Sequence, residues 1–277
     1  MESVTIREAR DHADYDACVS LQRAVWGLAD LEITSAIQLV ATVHAGGLLL
    51  VADSPREGVV GFCYAFAALR GGEPHLHSDM LGVRSDARGH GLGARLKWAQ
   101  REAALRHGLG LVTWTFDPMR APNARLNLHH LGAEVIELLP DFYGATTSPL
   151  HHGLPTDRLL GRWDLASPRV VARAAGEAPP KPPGAPLAYD VEWHDGQPVP
   201  LPLRRDLDGP RLLVEVPADW DAVCRADAAL AAAWQAAVRA ALSTYLAQGY
   251  AAVDFLDCVE GERRRPRYVL QRSGVGG

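Results

Sequence analysis

Residues 83–98 read VRSDARGHGLGARLKW, and Gly89, Gly91 and Gly93 fall within five positions between an apolar run and an amphipathic one. Glycine weakens strands and helices alike, so three of them at such a junction need a physical reason. Upstream, residues 75–83 have a strand's character. Downstream, a helix is predicted from about Gly91 to His107, with Leu92, Leu96, Ala99 and Ala103 along one face and Gly108 as its stop. The first amides of a helix have no partner inside it and carry part of its dipole. With no side chains at 89, 91 and 93 the main chain can approach an anion closely, so the segment reads as a phosphate cradle. A turn that binds nothing fits the same three glycines.

Context narrows the anion. A dinucleotide fold places its glycines after the first strand, whereas four strands precede these, and the Gly-Lys-Ser/Thr of a nucleotide-triphosphate loop is missing. Working outward, residues 4–9 alternate as a strand, and Asp11 is placed to cap a helix reaching Trp26. Residues 33–43 form a second helical stretch, and 47–53 with 59–69 a hairpin. Past the glycines come LVTWTF at 111–116, a helix from Pro122 to Leu131 closed by Gly132, and two strands in AEVIELL and RLLGRWDL. The expected order is β-α-α-β-β-β-α-β-α-β-β.

The prolines of EAPPKPPGAP, residues 177–186, remove backbone donors and forbid helix. The chain is therefore expected to divide into residues 1–170, a connector over 171–187, and a smaller α+β domain over 188–277. That last domain has strands in LAYDVEW, RLLVEV, AAVDFL and RYVLQR and an alanine-rich helical stretch over 219–248. A net charge of -5 gives no basic field, which argues against nucleic acid as the partner. Cys18, Cys63, Cys224 and Cys258 are widely spaced and show no zinc pattern, so reduced structural thiols and no metal are expected. The opening MESVTIREARDHADY lacks a basic stretch followed by an apolar core, and no apolar run has membrane-spanning length; a cytoplasmic protein with no membrane partner is the expectation.

Arg88-Gly89-His90-Gly91-Leu92-Gly93 resembles the R/Q-x-x-G-x-G/A segment of the GCN5-related N-acetyltransferase (GNAT) family, and Val83 fits the same pattern five residues before the arginine. The longer run HSDMLGVRSDARGHGLGARLKWAQRE, then TWTFDP, NARLNLHHLGA, FYG and GLPTDR, is similar to a bacterial branch of acetyltransferases. The resemblance covers about residues 1 to 166. It implies an α/β (α+β) GNAT fold, a mixed, mostly antiparallel sheet flanked by helices, with the C-terminal α+β domain outside the generic core. It also implies acetyl-CoA as cosubstrate and transfer of its acetyl group to a primary amine by direct attack.

By the same resemblance, Leu81, Gly82 and Val83 on strand four hold the pantetheine arm, with a main-chain N–H near Leu81 facing the thioester carbonyl. Arg88, Gly89, His90, Gly91, Leu92, Gly93 and Ala94 hold the diphosphate. Asn123 and Asn127 lie near the family's cofactor-facing asparagine, and helix punctuation is the other reading of both. Asp79 and His77, two apart on strand four, are candidate bases; a solvated edge or a satisfied core histidine is the alternative. The family's helix-four tyrosine position, counted back from Gly132, holds Leu128. Tyr143 is then either the replacing acid or a core aromatic. Arg95, Lys97 and Arg125 are candidates for a 3′-phosphate or a solvated face. Asp157 and Arg158 form either a substrate clamp or a structural pair, and the charged run at 260–267 is a hairpin tip. The amine acceptor is not identified, and the C-terminal domain either covers its site or mediates a homodimer. A CoA-binding sensor without catalysis is the competing function.

Overall fold

The computed structural model describes residues 4–179 and 184–272. Its elements begin β1 (Thr5–Glu8), α1 (His12–Trp26), α2 (Ala36–His44), β2 (Leu48–Ser54), β3 (Gly58–Arg70), β4 (Glu73–Val83), α3 (Leu92–Arg106), β5 (Leu111–Phe116), α4 (Ala121–Ala124), β6 (Glu134–Leu139) and β7 (Arg158–Asp164). This is the expected succession. A further helix, α5 (Pro168–Ala174), occupies the start of the stretch read as a connector, and residues 180–183 of that stretch lie outside the described residues. Then follow β8 (Val191–His194), β9 (Gln197–Pro200), β10 (Arg211–Glu215), α6 (Trp220–Ala226), α7 (Ala228–Ala247), β11 (Tyr250–Glu260) and β12 (Arg263–Arg272).

Two compact units interleave along the chain. The first holds residues up to Trp114, Ala145–Gly153 and Trp163–Ala174; the second holds Thr115–Gly144, Leu154–Arg162 and the residues from Ala175 onward. In the first, strands run β1-β2-β3-β4-β5, antiparallel except for the parallel β4–β5 pair. Its core packs Cys18 and Leu21 of α1 and Leu39 of α2 against Leu49, Val51, Phe62 and Tyr64 of the sheet. Burial of each large apolar side chain there contributes roughly 1.5–3 kcal/mol. Asp11 caps α1 as expected, accepting from the Asp14 N–H at 3.1 Å, and Gly27 ends it in the left-handed region at φ 64°. Arg7 of β1 ties α1 to β2 by donating to Asp14 at 2.6 and 2.9 Å and to Asp53 at 2.9 Å.

The second unit has strand order β7-β6-β11-β12-β10, all antiparallel. Trp234, Val238, Leu242 and Tyr245 form the buried stripe of α7. The alanine-rich stretch is two helices because Asp227 interrupts it: its carboxylate accepts from the N–H groups of Ala229 at 2.7 Å and Leu230 at 3.1 Å and starts α7 afresh. β9 was not expected, since it carries Pro198 and Pro200; its hairpin with β8 turns on Asp195 and Gly196, both at positive φ as a tight hairpin requires. No described helix is long and apolar enough to cross a membrane.

Candidate functional site

The glycine segment adopts the conformation its composition suggested. Gly89 and Gly91 lie at φ 84° and 69°, where other residues are strained, and Gly91 is the N-cap of α3 with no side chain capping it. The first intrahelical bond runs from the Arg95 N–H to the Gly91 carbonyl at 3.0 Å, so the amides of Leu92, Gly93 and Ala94 precede the helical ladder. Gly89, His90 and Gly91 are exposed, and a Cβ at 89 or 91 would meet no atom within 4 Å. The glycines thus leave open space before uncapped donors. No acidic residue stands in the first turn of α3 to compete for them. Arg88 is exposed, and its Nε donates to the Val83 carbonyl at 2.9 Å, which ties the loop to the end of β4.

That strand end is the second half of the site. β4 pairs with β5 only at Leu76 with Val112 and His77 with Thr113, so from Ser78 onward β4 keeps β3 on one side alone. Arg84 donates its N–H to the Val60 carbonyl at 2.9 Å. By antiparallel alternation the bonded pairs are then Gly82 with Phe62 and Met80 with Tyr64, and the N–H and C=O groups of Leu81 and Val83 point to the edge that β5 has left. Gly82 is buried, and a Cβ there would come within 2.9 Å of Phe62 and 3.2 Å of Trp26. Its smallness admits those two rings, which stack edge to face with centroids 5.9 Å apart.

The distortion of β4 falls at Asp79 rather than at Gly82. Tyr64 pairs with Met80 and Ala65 with Ser78, leaving Asp79 as the extra residue of a bulge. The extra residue interrupts strict alternation, so the neighbours of His77 and Asp79, and not their spacing, define the faces they occupy. The register puts His77 opposite Phe66, and the two rings lie 5.2 Å apart, while the Asp79 charge reaches Tyr64 of the same face. Asp79 is exposed, yet the surrounding protein desolvates its carboxylate and raises its pKa; among the described residues it has no hydrogen bond or ion pair. His77 is half-buried and its Nδ1 lies 2.9 Å from Thr113 Oγ1. Burial, with repulsion from His75, Lys97 and Arg70, lowers its pKa to about 4, so the ring is neutral at pH 7.

Other expected residues are placed differently. Lys97 is buried, 2 % exposed, and does not reach a solvent-side phosphate. Arg95 is exposed, but its Nη2 donates to the Val4 carbonyl at 2.6 Å. The second unit holds Asn123, Asn127, Arg125 and Tyr143. Asn123 is exposed and Asn127 buried, the latter within a π-helical turn over Arg125–His130 that follows α4. Arg125 pairs with Asp257 at 3.1 Å. Tyr143 is not a core aromatic: it is half exposed, its hydroxyl lies 2.9 Å from Thr115 Oγ1, and the Arg158 guanidinium sits 5.1 Å from its ring centre. Asp157 is buried and takes two hydrogen bonds from Arg239, at 2.7 and 2.8 Å, so its partner is on α7 rather than Arg158. The 260–267 run is a hairpin tip whose charges are spent internally, with Arg265 and Arg267 both on Glu215 and Glu260.

Sequence reasoning missed one cluster. Lys97 Nζ donates to Ser78 Oγ at 3.1 Å and to Gln100 Oε1 at 2.6 Å, Gln100 Nε2 donates to Ser78 Oγ at 3.1 Å, and Nζ stands 3.9 Å from the Trp114 ring centre. The signal available was Gln100 itself, four residues past Leu96 on the face that α3 buries. Among the described residues no group of three or more His, Cys, Asp or Glu side chains is placed to hold a metal.

Residues 16–132 match the model of the Acetyltransferase (GNAT) family. Among solved structures, the chain is similar to a ribosomal-protein-alanine N-acetyltransferase from Brucella melitensis, at 22% identity, 57% coverage of this chain and 98% of that one, and TM-score 0.47. It is also similar to the ribosomal-protein-S18-alanine N-acetyltransferase from Escherichia coli, at 13% identity, 60% and 96% coverage and TM-score 0.47. A third is a GNAT superfamily phosphinothricin acetyltransferase from Sinorhizobium meliloti in complex with acetyl-CoA, at 20% identity, 57% and 86% coverage and TM-score 0.46. No curated protein matches the sequence.

Proposed function

We propose, from the premise that residues 16–132 are those of a GNAT acetyltransferase domain, that this chain moves the acetyl group of acetyl-CoA to a primary amine by direct attack. The observation that carries the reading is the pairing of two features in one unit: uncapped amides at the start of α3, opened by left-handed Gly89 and Gly91, and the free edge of β4 beyond His77. The diphosphate of the cosubstrate would lie on the amides of residues 89–94, flanked by Arg88 and His90. Its pantetheine arm would bond along Leu81, Gly82 and Val83 as an added strand. When bound, acetyl-CoA supplies the activated thioester.

The chain's own groups supply the rest. The Leu81 N–H, turned toward the open edge, is positioned to receive negative charge as the carbonyl is attacked. Asp79, with its raised pKa and no protein partner, takes the proton from the amine, directly or through water. His77 is the weaker base, since an imidazole with a pKa of about 4 accepts a proton poorly at neutral pH. The roles of thiolate acid for Tyr143 and of cofactor contact for Asn123 and Asn127, all residues of the second unit, rest on the sequence reading alone. A cytoplasmic setting belongs to the same reading. The absence of a tyrosine from residues 121–131, which form α4 and the π-helical turn after it, motivates the alternative of a CoA-binding sensor.

Calorimetry with acetyl-CoA tests the site. Gly91→Ala strains the backbone at positive φ without filling the cradle, whereas Gly91→Glu adds a carboxylate where the diphosphate should lie. The expected result is a loss of at least about 100-fold in affinity for Gly91→Glu against a few-fold for Gly91→Ala. Equal binding by Gly91→Glu and the parent chain would refute the assignment. Thiol release across a panel of amines then separates enzyme from sensor.

A further inference from the structure

The Lys97 cluster is unusual in what it costs. An ammonium removed from water without a counter-ion is unfavourable, and among the described residues no carboxylate pairs with Lys97. Its compensation is the Ser78 hydroxyl, the Gln100 amide oxygen and the Trp114 face. A chain needing only to fill this space would do as well with methionine. The expense falls at a particular place. Ser78 is the first residue of β4 past the last β4–β5 pair and the immediate neighbour of the bulged Asp79. Its single oxygen takes one hydrogen bond from Lys97 and one from Gln100, both from the same turn of α3, and Cys63 Sγ lies 3.7 Å from it.

We propose that Lys97 is a positioning residue for the cosubstrate: through Ser78 it fastens α3, which carries the diphosphate cradle, to β4 at the point where the arm-binding edge begins. The inference rests on the acetyl-CoA reading above. Two donors on one oxygen fix both the direction and the depth of Ser78 relative to α3, so the cradle at one end of the helix and the free edge of β4 keep one mutual spacing. Acetyl-CoA must span both at once, whereas adenosine diphosphate touches the cradle alone.

Calorimetry with acetyl-CoA and with adenosine diphosphate on the full chain tests this. Lys97→Met and Ser78→Ala should each weaken acetyl-CoA about tenfold, leave adenosine diphosphate within about twofold, and together weaken acetyl-CoA no more than either alone. Circular dichroism checks that each variant is folded; Ser78→Ala, which removes one oxygen, carries the test if Lys97→Met does not fold. Unchanged acetyl-CoA affinity, a parallel loss of both ligands, or additive losses would each overturn the proposal. Failure of the parent chain to bind either ligand would instead remove the cosubstrate reading, and this inference with it.

Discussion

At the scale of single residues, Asp79 is the base we propose. Its carboxylate is desolvated and unpartnered, and the bulge that makes it an extra residue sets it at the edge where β4 loses β5. A group with a raised pKa near the reacting amine is a better base than an ordinary carboxylate, because proton transfer to it is less uphill. We expect Asp79→Asn to lower kcat by about 10²–10³, with acetyl-CoA affinity within about twofold of the parent. The acid limb of the parent's kcat profile should also vanish in that variant. An unchanged kcat and an unchanged profile would assign the base elsewhere. The residue types of this site were readable from sequence, but their directions were not. The bulge is an irregularity of pairing with β3, and nothing in the run HSDMLGV marks which residue is left over.

At the scale of elements, α3 shows how far pattern carries and where it stops. Leu92, Leu96 and Ala103 are buried as their spacing predicts, but the buried face also takes Lys97, Gln100 and Ala104, because a side-chain hydroxyl on β4 makes a place for polar groups. Periodicity sees apolar residues and is blind to a polar network that satisfies itself. The π-helical turn after α4 is a second case: the Leu131 N–H bonds to the Leu126 carbonyl five residues back, so counting four residues from Gly132 does not carry through it. Lys97 gives the element-scale prediction. Burial pushes its pKa down to about 8, and the unfolded chain keeps an ordinary lysine. Below pH 8 both states hold the proton and the folded chain bears the whole penalty. Between about pH 8 and 10.5 the unfolded chain holds a proton that the folded one has released, so stability rises with pH by up to about 3 kcal/mol. Cys63, facing it from β3, has its thiol pKa pushed up by burial, while His77 has its own lowered. Urea unfolding at pH 7.5 and pH 10 should show the parent gaining on Lys97→Met between the two. A constant gap would mean that Lys97 is not a buried cation.

At the scale of the whole molecule, the element order over the first half was legible because each strand and helix carries its own period and punctuation. The division of the chain was less so. Proline content marks 177–186 as a connector, but β6, before it, pairs with β11, after it, through Val135 and Ala252, and Arg239 of α7 neutralises Asp157 at the start of β7. Pairing across sequence distance leaves no local signal. The division at 171–187 has a direct test. A chain stopped at Gly176 would leave Asp157 buried without its guanidinium, a loss of about 3 kcal/mol in addition to the missing β11. We expect it to lack a cooperative melting transition; a soluble fragment that melts cooperatively would establish the boundary that the prolines suggest.

We propose that one cosubstrate bridges the start of α3 and the free edge of β4, and a crystal structure of the chain grown with excess acetyl-CoA is the decisive measurement. Diphosphate density is expected within hydrogen-bond distance of the amides of residues 89–94, with the arm running beside Leu81 to Val83 and the thioester carbonyl facing the Leu81 N–H. Acetyl-CoA bound elsewhere, or that edge closed by the protein's own side chains at saturating cosubstrate, would contradict it.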